Sequence, residues 1–249
     1  VGPAVAGAVI DVAGLGPAAI FNGSCYLLRF ALLLPIRCRS RLPRRPESSI
    51  PRALLEGLRY FRSTPVTFTV IGIGFAFGLF ASPYLQVMPA FARMVLGADA
   101  GGVGLLIAAV GIGSLLGNIG LASLGDFKHR NRLMMGTLVI FGVTLFAFAW
   151  SPWFWASWIM LLFVGATSFG FFVPLVITLI QHNVPPELRG RVMSILGLAP
   201  AVHYVGALPL AAAADVISWP VAITIGAALS LFVALWLGVW RPVLRHLEE

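Results

Sequence analysis

Residues 155–181 read WASWIMLLFVGATSFGFFVPLVITLIQ, twenty-seven positions without a charged side chain. At about 1.5 Å per residue, a helix of that length outruns the roughly 30 Å of hydrocarbon in a bilayer. It has no polar stripe to turn toward water, which excludes a surface helix of a soluble domain. Comparable runs lie on both sides. Hydropathy marks seven spans in all, at residues 17–36, 66–88, 103–124, 133–150, 155–181, 192–214 and 220–240. Each is far longer than the roughly 9–11 residues of a membrane β-strand, and none shows two-residue alternation. The chain therefore reads as an all-α polytopic membrane protein with seven transmembrane helices.

Composition agrees. Of 249 residues, 59% are hydrophobic and 10% charged, against about 25% charged in soluble domains; mean hydropathy is +0.94. The formal charge of +8 does not indicate nucleic acid, because the cations sit in short clusters between apolar runs, where they set membrane topology. Cys25 lies in an apolar run and Cys38 in an arginine cluster, so neither metal-ligand spacing nor a disulfide framework is present. The chain opens on Val1-Gly2-Pro3, with no initiator methionine or signal segment, and already reads as the middle of an apolar segment, which implies further chain upstream.

Lysine and arginine near span ends are retained on the cytoplasmic side. Fifteen of the seventeen fall on one side: eight arginines between the first two spans, Lys128, Arg130 and Arg132 between the third and fourth, Arg189 and Arg191 after the fifth, and Arg241 and Arg245 after the seventh. Only Arg93 lies in an opposite loop, and Arg29 is inside the first span. That asymmetry puts residue 17 outside and the carboxy terminus in the cytoplasm. Trp150, Trp153, Trp155, Trp158 and Trp219 then mark the outer interface, with Trp236 and Trp240 at the inner one.

Between the first two spans, residues 37–64 form a basic linker. Its proline-containing part, 37–46, is a hinge, and 49–63 carries Ile50, Leu54, Leu55, Leu58 and Phe61 at helical spacing, an amphipathic surface helix. An internal echo supports a division there: Gly2, Ala8, Asp11 and Val12 recur as Gly206, Ala212, Asp215 and Val216, each copy before a span. Parallel repeats of this kind occur in transporters.

Several stretches carry a family resemblance. Residues 184–194, VPPELRGRVMS, are similar to the loop between the tenth and eleventh helices of major facilitator superfamily members of the enterobactin-exporter-like branch, and 84–97, containing Pro89-Ala90-Phe91-Ala92-Arg93, resembles the stretch after the seventh. Gly2-Pro3-Ala4-Val5-Ala6-Gly7 resembles the fifth-helix signature of antiporters, with Gly2, Pro3 and Gly7 matching and Ala6 replacing a glycine. Residues 124–132 resemble the charged cytoplasmic loop between paired helices, with Asp126 and Arg130 in place but Phe127 and His129 where arginine and glycine are common. The resemblance implies the end of helix five and helix six (1–36), the linker (37–64), and a six-helix carboxy-terminal bundle (65–249) of a twelve-helix fold. The amino-terminal helices of the same protein would then be its partner, and the residence a bacterial inner membrane.

Bundles that rock against each other need charge pairs that separate and re-form at helix ends. Asp126 with Arg130 and Arg132, and Glu187 with Arg189 and Arg191, fit such a cytoplasmic gate; equally, the cations fix topology while Glu187 favours a helix start through its dipole. Polar groups inside spans are costly and face a bundle interior or a wet cavity. Asn22, Arg29, Asn118, His203 and Tyr204 are the candidates for a substrate pathway. Interhelical hydrogen bonding is the alternative for Asn118 and His203, and snorkelling for Arg29. Gly111, Gly113, Gly117 and Gly120 favour close helix packing, while Pro174, Pro200 and Pro209 bend or locally open their spans.

No catalytic set, metal-like histidine pairing or phosphate loop is present, so neither an enzyme nor a bound cofactor is expected, and ATP is not the evident power source. Every acid lies near an interface, so if protons drive transport the essential carboxylate belongs to the amino-terminal half upstream, unless His203 takes that part. Export of a small amphipathic molecule, such as a siderophore or drug, by proton-coupled alternating access is the leading function. A seven-span receptor and a non-transporting transporter fragment are the competing ones.

Overall fold

The structure, a computed structural model, describes residues 14–35, 64–125, 127 and 129–240. Residues 37–63 of the linker, with the amphipathic segment 49–63, and the antiporter-like Gly2, Pro3 and Gly7 lie outside the described residues, as does Asp126. Among the described residues every regular element is helical: α1 (Leu15–Leu33), α2 (Pro65–Ala76), α3 (Tyr84–Met94), α4 (Ala100–Ser123), α5 (Arg130–Ala149), α6 (Phe154–Gly165), α7 (Val173–Asn183), α8 (Pro186–Leu196), α9 (Ala199–Val216) and α10 (Trp219–Trp240). Two π-helical segments, Phe77–Ala81 and Ala166–Phe172, join α2 to α3 and α6 to α7.

Among the described residues, six helical rods are long and apolar enough to cross a membrane: Pro65–Met94, Ala100–Ser123, Arg130–Ala149, Phe154–Asn183, Leu188–Val216 and Trp219–Leu237. They account for six of the seven sequence spans. The apolar part of α1, Ala19–Leu33, is shorter, and the described side chains of α1 are exposed. One span is less regular than hydropathy implies, because the run through 192–214 breaks at Gly197-Leu198 between α8 and α9. Sharp turns elsewhere fall on Gly97 and Gly125, whose φ of 63° and 56° suit a residue without a Cβ. Asp99 caps α4, its carboxylate accepting from the Gly102 amide at 2.7 Å.

The π segments have a local cause. In the first, the Ser82 N–H donates to the Phe77 carbonyl, five residues back, at 2.8 Å; in the second, the Val173 N–H donates to Ser168 in the same register. A proline follows each donor, Pro83 and Pro174. Proline supplies no N–H, and its ring collides with the carbonyl four residues earlier in an α-helix. Widening the turn into the five-residue register moves that carbonyl, Leu79 or Gly170, off the ring.

Neighbouring helices accept the displaced backbone through glycines. A Cβ on Gly206 of α9 would overlap the Leu79 carbonyl, and one on Gly226 of α10 would overlap that of Phe80. Across the α4–α6 seam, a Cβ on Gly113 would overlap the Leu162 carbonyl, one on Gly165 the Val110 carbonyl, and one on Gly117 would stand 2.5 Å from the Ala166 carbonyl. Backbone-to-backbone approach of this kind replaces the hydrophobic drive that lipid removes. Between the rods, Phe77 meets Phe141 of α5 at 5.1 Å and Phe172 at 4.7 Å between ring centroids, and Phe91 meets Phe148 at 4.8 Å. Trp158 and Trp150 also cross between helices, donating to the Leu105 carbonyl and the Thr224 hydroxyl, each at 3.1 Å.

Substituting Gly113→Ala therefore forces α4 and α6 apart. We expect a loss of about 1–3 kcal/mol, read as a lower thermal midpoint in detergent. Gly136→Ala, where a Cβ meets nothing within 4 Å, is expected to hold or raise the midpoint.

Candidate functional site

A cavity of about 460 Å³ opens between the 65–94 rod, the 154–183 rod and the α8–α9 pair. Each wall is irregular where it meets the cavity. Phe77 and Gly78 come from the first π segment, Phe169 and Phe172 from the second, and Gly197 and Ala199 flank the break in the third. An α-helix presents a close-packed surface with no gap; two widened turns and a break leave room. The wall is apolar apart from the Ser82 hydroxyl, which is buried, and the half-buried His203 ring.

Of the residues singled out by sequence, His203 lines this cavity. Tyr204 stacks beside it, ring centroids 4.4 Å apart, but is 60% exposed and is not part of the wall. Asn118, on α4, does not line the cavity but backs its wall: its amide donates to the Ser114 carbonyl at 2.8 Å and to the carbonyl of the lining residue Phe169 at 3.2 Å. Asn22 and Arg29 are exposed on α1, so the structure does not bring them to His203.

At the other end, Arg130 and Arg132 occupy the first turn of α5. Glu187 falls in the first turn of α8, after Pro186; its side chain lies outside what the structure describes. The Arg189 guanidinium donates to the Val184 carbonyl at 3.2 Å, pinning the start of α8 to the end of α7. Arg191, also on α8, is half-buried.

Sequence reasoning did not single out Ser82, Phe77 or Phe172. The signal that finds them is the proline five residues after Phe77 O's neighbour Gly78, and its counterpart after Phe169, since Pro83 and Pro174 occupy equivalent places. Among the described residues no group of three or more His, Cys, Asp or Glu side chains is placed to hold a metal ion. What the cavity can do is enclose an apolar body and offer it a hydroxyl and an imidazole.

All 249 residues match the family model described as transmembrane secretion effector. The chain belongs to that family of major facilitator transporters. A similar protein is the multidrug efflux pump Tap of Mycolicibacterium fortuitum, 28% identical over 200 residues, which are 78% of this chain and 47% of the pump. The chain thus spans about half the length of that relative. A cavity of this volume, walled by irregular helices and lined with apolar groups, has the size and chemistry of a small-molecule site.

Filling the cavity tests it. Ile177→Trp projects an indole into the space, and we expect about a tenfold or greater loss of affinity for an apolar fluorescent dye, measured by titration in detergent. Ile140→Trp, on an exposed stretch of α5, is expected to leave that affinity unchanged.

Proposed function

We propose that this chain is part of an exporter that moves small amphipathic molecules outward by alternating access. The observation that carries this reading is the cavity at the junction of three irregular helices, in a chain of a transporter family. The apolar part of the cargo rests on Phe77, Phe172 and Val176, and its polar group meets Ser82 or His203. Multidrug efflux by the relative favours lipophilic drugs over siderophores as cargo, since the wall offers no cluster of charges for a heavily oxygenated ligand.

In this reading, residues 1–36 end an amino-terminal bundle, 37–64 link it to the six-helix bundle 65–249, and the amino-terminal helices of the same protein close the cavity from the other side. Asn22 and Arg29 of α1 contribute to the pathway from that bundle. Asp126 with Arg130 and Arg132, and Glu187 with Arg189 and Arg191, act at a cytoplasmic gate. The cation asymmetry supports an inner-membrane topology with the carboxy terminus inside. Proton coupling through His203 is part of the same proposal, its imidazole being the titratable side chain on the cavity wall.

The experiment is retention of a lipophilic fluorescent drug in cells lacking the complete gene. Retention is expected to rise on deletion and to fall with wild type, but to stay at least about fivefold less corrected with His203→Ala or Asp126→Ala at equal membrane abundance. Full correction by both variants would remove these site assignments, and unchanged retention on deletion would remove the export reading.

A further inference from the structure

The second π segment runs into a proline, which has no N–H to give the carbonyl next in line. In the five-residue register seen at Val173 to Ser168, the Phe169 carbonyl would next receive an N–H from residue 174, which is proline. Water cannot make up the loss within hydrocarbon, where an unsatisfied carbonyl costs several kcal/mol, about as much as any backbone group left alone. The donor comes instead from α4: the Asn118 amide reaches the Phe169 carbonyl at 3.2 Å while also donating to Ser114 in its own helix at 2.8 Å. Both acceptors are carbonyl oxygens, so the amide nitrogen is the atom facing them whichever way the group is assigned.

We propose that Asn118 is a positioning residue for the cavity, holding the 154–183 rod in its π-bulged form and so setting which side chains of α7 face the ligand. The competing form of that rod is an ordinary proline-kinked α-helix, in which Gly170 rather than Phe169 loses its donor. The two forms differ by one residue of register. A π bulge absorbs one extra residue, and each residue of an α-helix turns it by about 100°. The amino-terminal side is fixed by the close contacts of Gly113, Gly117 and Gly165, so loss of the bulge rotates the α7 side. Val173, Val176 and Ile177 line the cavity with the bulge in place; without it, the positions one earlier take over, which brings Leu175 into the cavity and takes Ile177 out of it.

This proposal rests on the cavity being the ligand surface, yet its test does not need transport. In the complete polypeptide with its native cysteines replaced, single cysteines at 175 and 177 are labelled with a membrane-impermeant maleimide. In the wild-type background, 177 is expected to react and 175, buried in this structure, to resist. Asn118→Leu, which keeps the volume and removes the donor, is expected to raise the 175-to-177 labelling ratio by about three- to tenfold, the range one interhelical hydrogen bond supports. Should it not accumulate in the membrane, Asn118→Ala makes the same comparison.

Pro174→Ala restores the missing N–H and is expected to shift the ratio in the same direction. Added to Pro174→Ala, the Asn118 substitution is expected to change the ratio no further, because the rod then supplies its own donors and no longer depends on the Asn118 amide. A wild-type ratio in Asn118→Leu and Asn118→Ala, with Pro174→Ala shifted, would overturn the proposal. Failure of the drug-retention assay with the labelling shift intact would overturn the export reading alone.

Discussion

Pro83 and Pro174 sit inside rods that cross a medium without water, and the structure is organised around accommodating them. Each removes a donor and places a ring where the helix would run a carbonyl. In an aqueous loop the freed groups would simply hydrate; in hydrocarbon they must be housed by protein. The rods answer by widening to the five-residue register, and the neighbours answer with glycines that admit the displaced carbonyls of Leu79 and Phe80. The defect at Pro83 thereby dictates side-chain size on two other helices, α9 and α10.

The same widening makes room for the cavity. Phe77 and Phe172 sit in the two π segments, touch each other, and line the cavity. Their contact, with Phe141 against Phe77, ties both rods to the middle of the bundle, so the cavity has a firm floor. Its third wall is different in kind. The α8–α9 pair is broken at Gly197-Leu198, and many of its side chains are exposed, including Tyr204, Val205 and Leu208.

Much of this was legible from residues alone, for physical reasons. Apolar length gave the helical class and marked seven spans, of which six are spanning rods among the described residues, because crossing hydrocarbon leaves no freedom in composition. Gly113 and Gly117 announced the α4–α6 contact, since glycines four apart are otherwise a liability in a helix. Pro174 was recognisable as a local opening and His203 as a polar group facing inward. What escaped was partnership. Gly165, Gly206 and Gly226 accept carbonyls from other rods, and a residue that acts by what it lacks leaves no trace until its neighbour is known. Asn118 was visible as an intramembrane polar residue, but its acceptor, Phe169, is fifty-one positions away. The break at Gly197 hid inside a continuous apolar run because hydropathy is blind to backbone geometry.

The central claim is that the two prolines, by forcing widened turns, create the cavity. It is tested most directly by dye affinity and thermal midpoint in a Pro83→Ala, Pro174→Ala double variant. Restored N–H groups let both rods close into regular α-helix, so the account predicts an equal or higher midpoint together with at least about a tenfold loss of dye affinity. Affinity unchanged in a variant of equal or higher midpoint would contradict it.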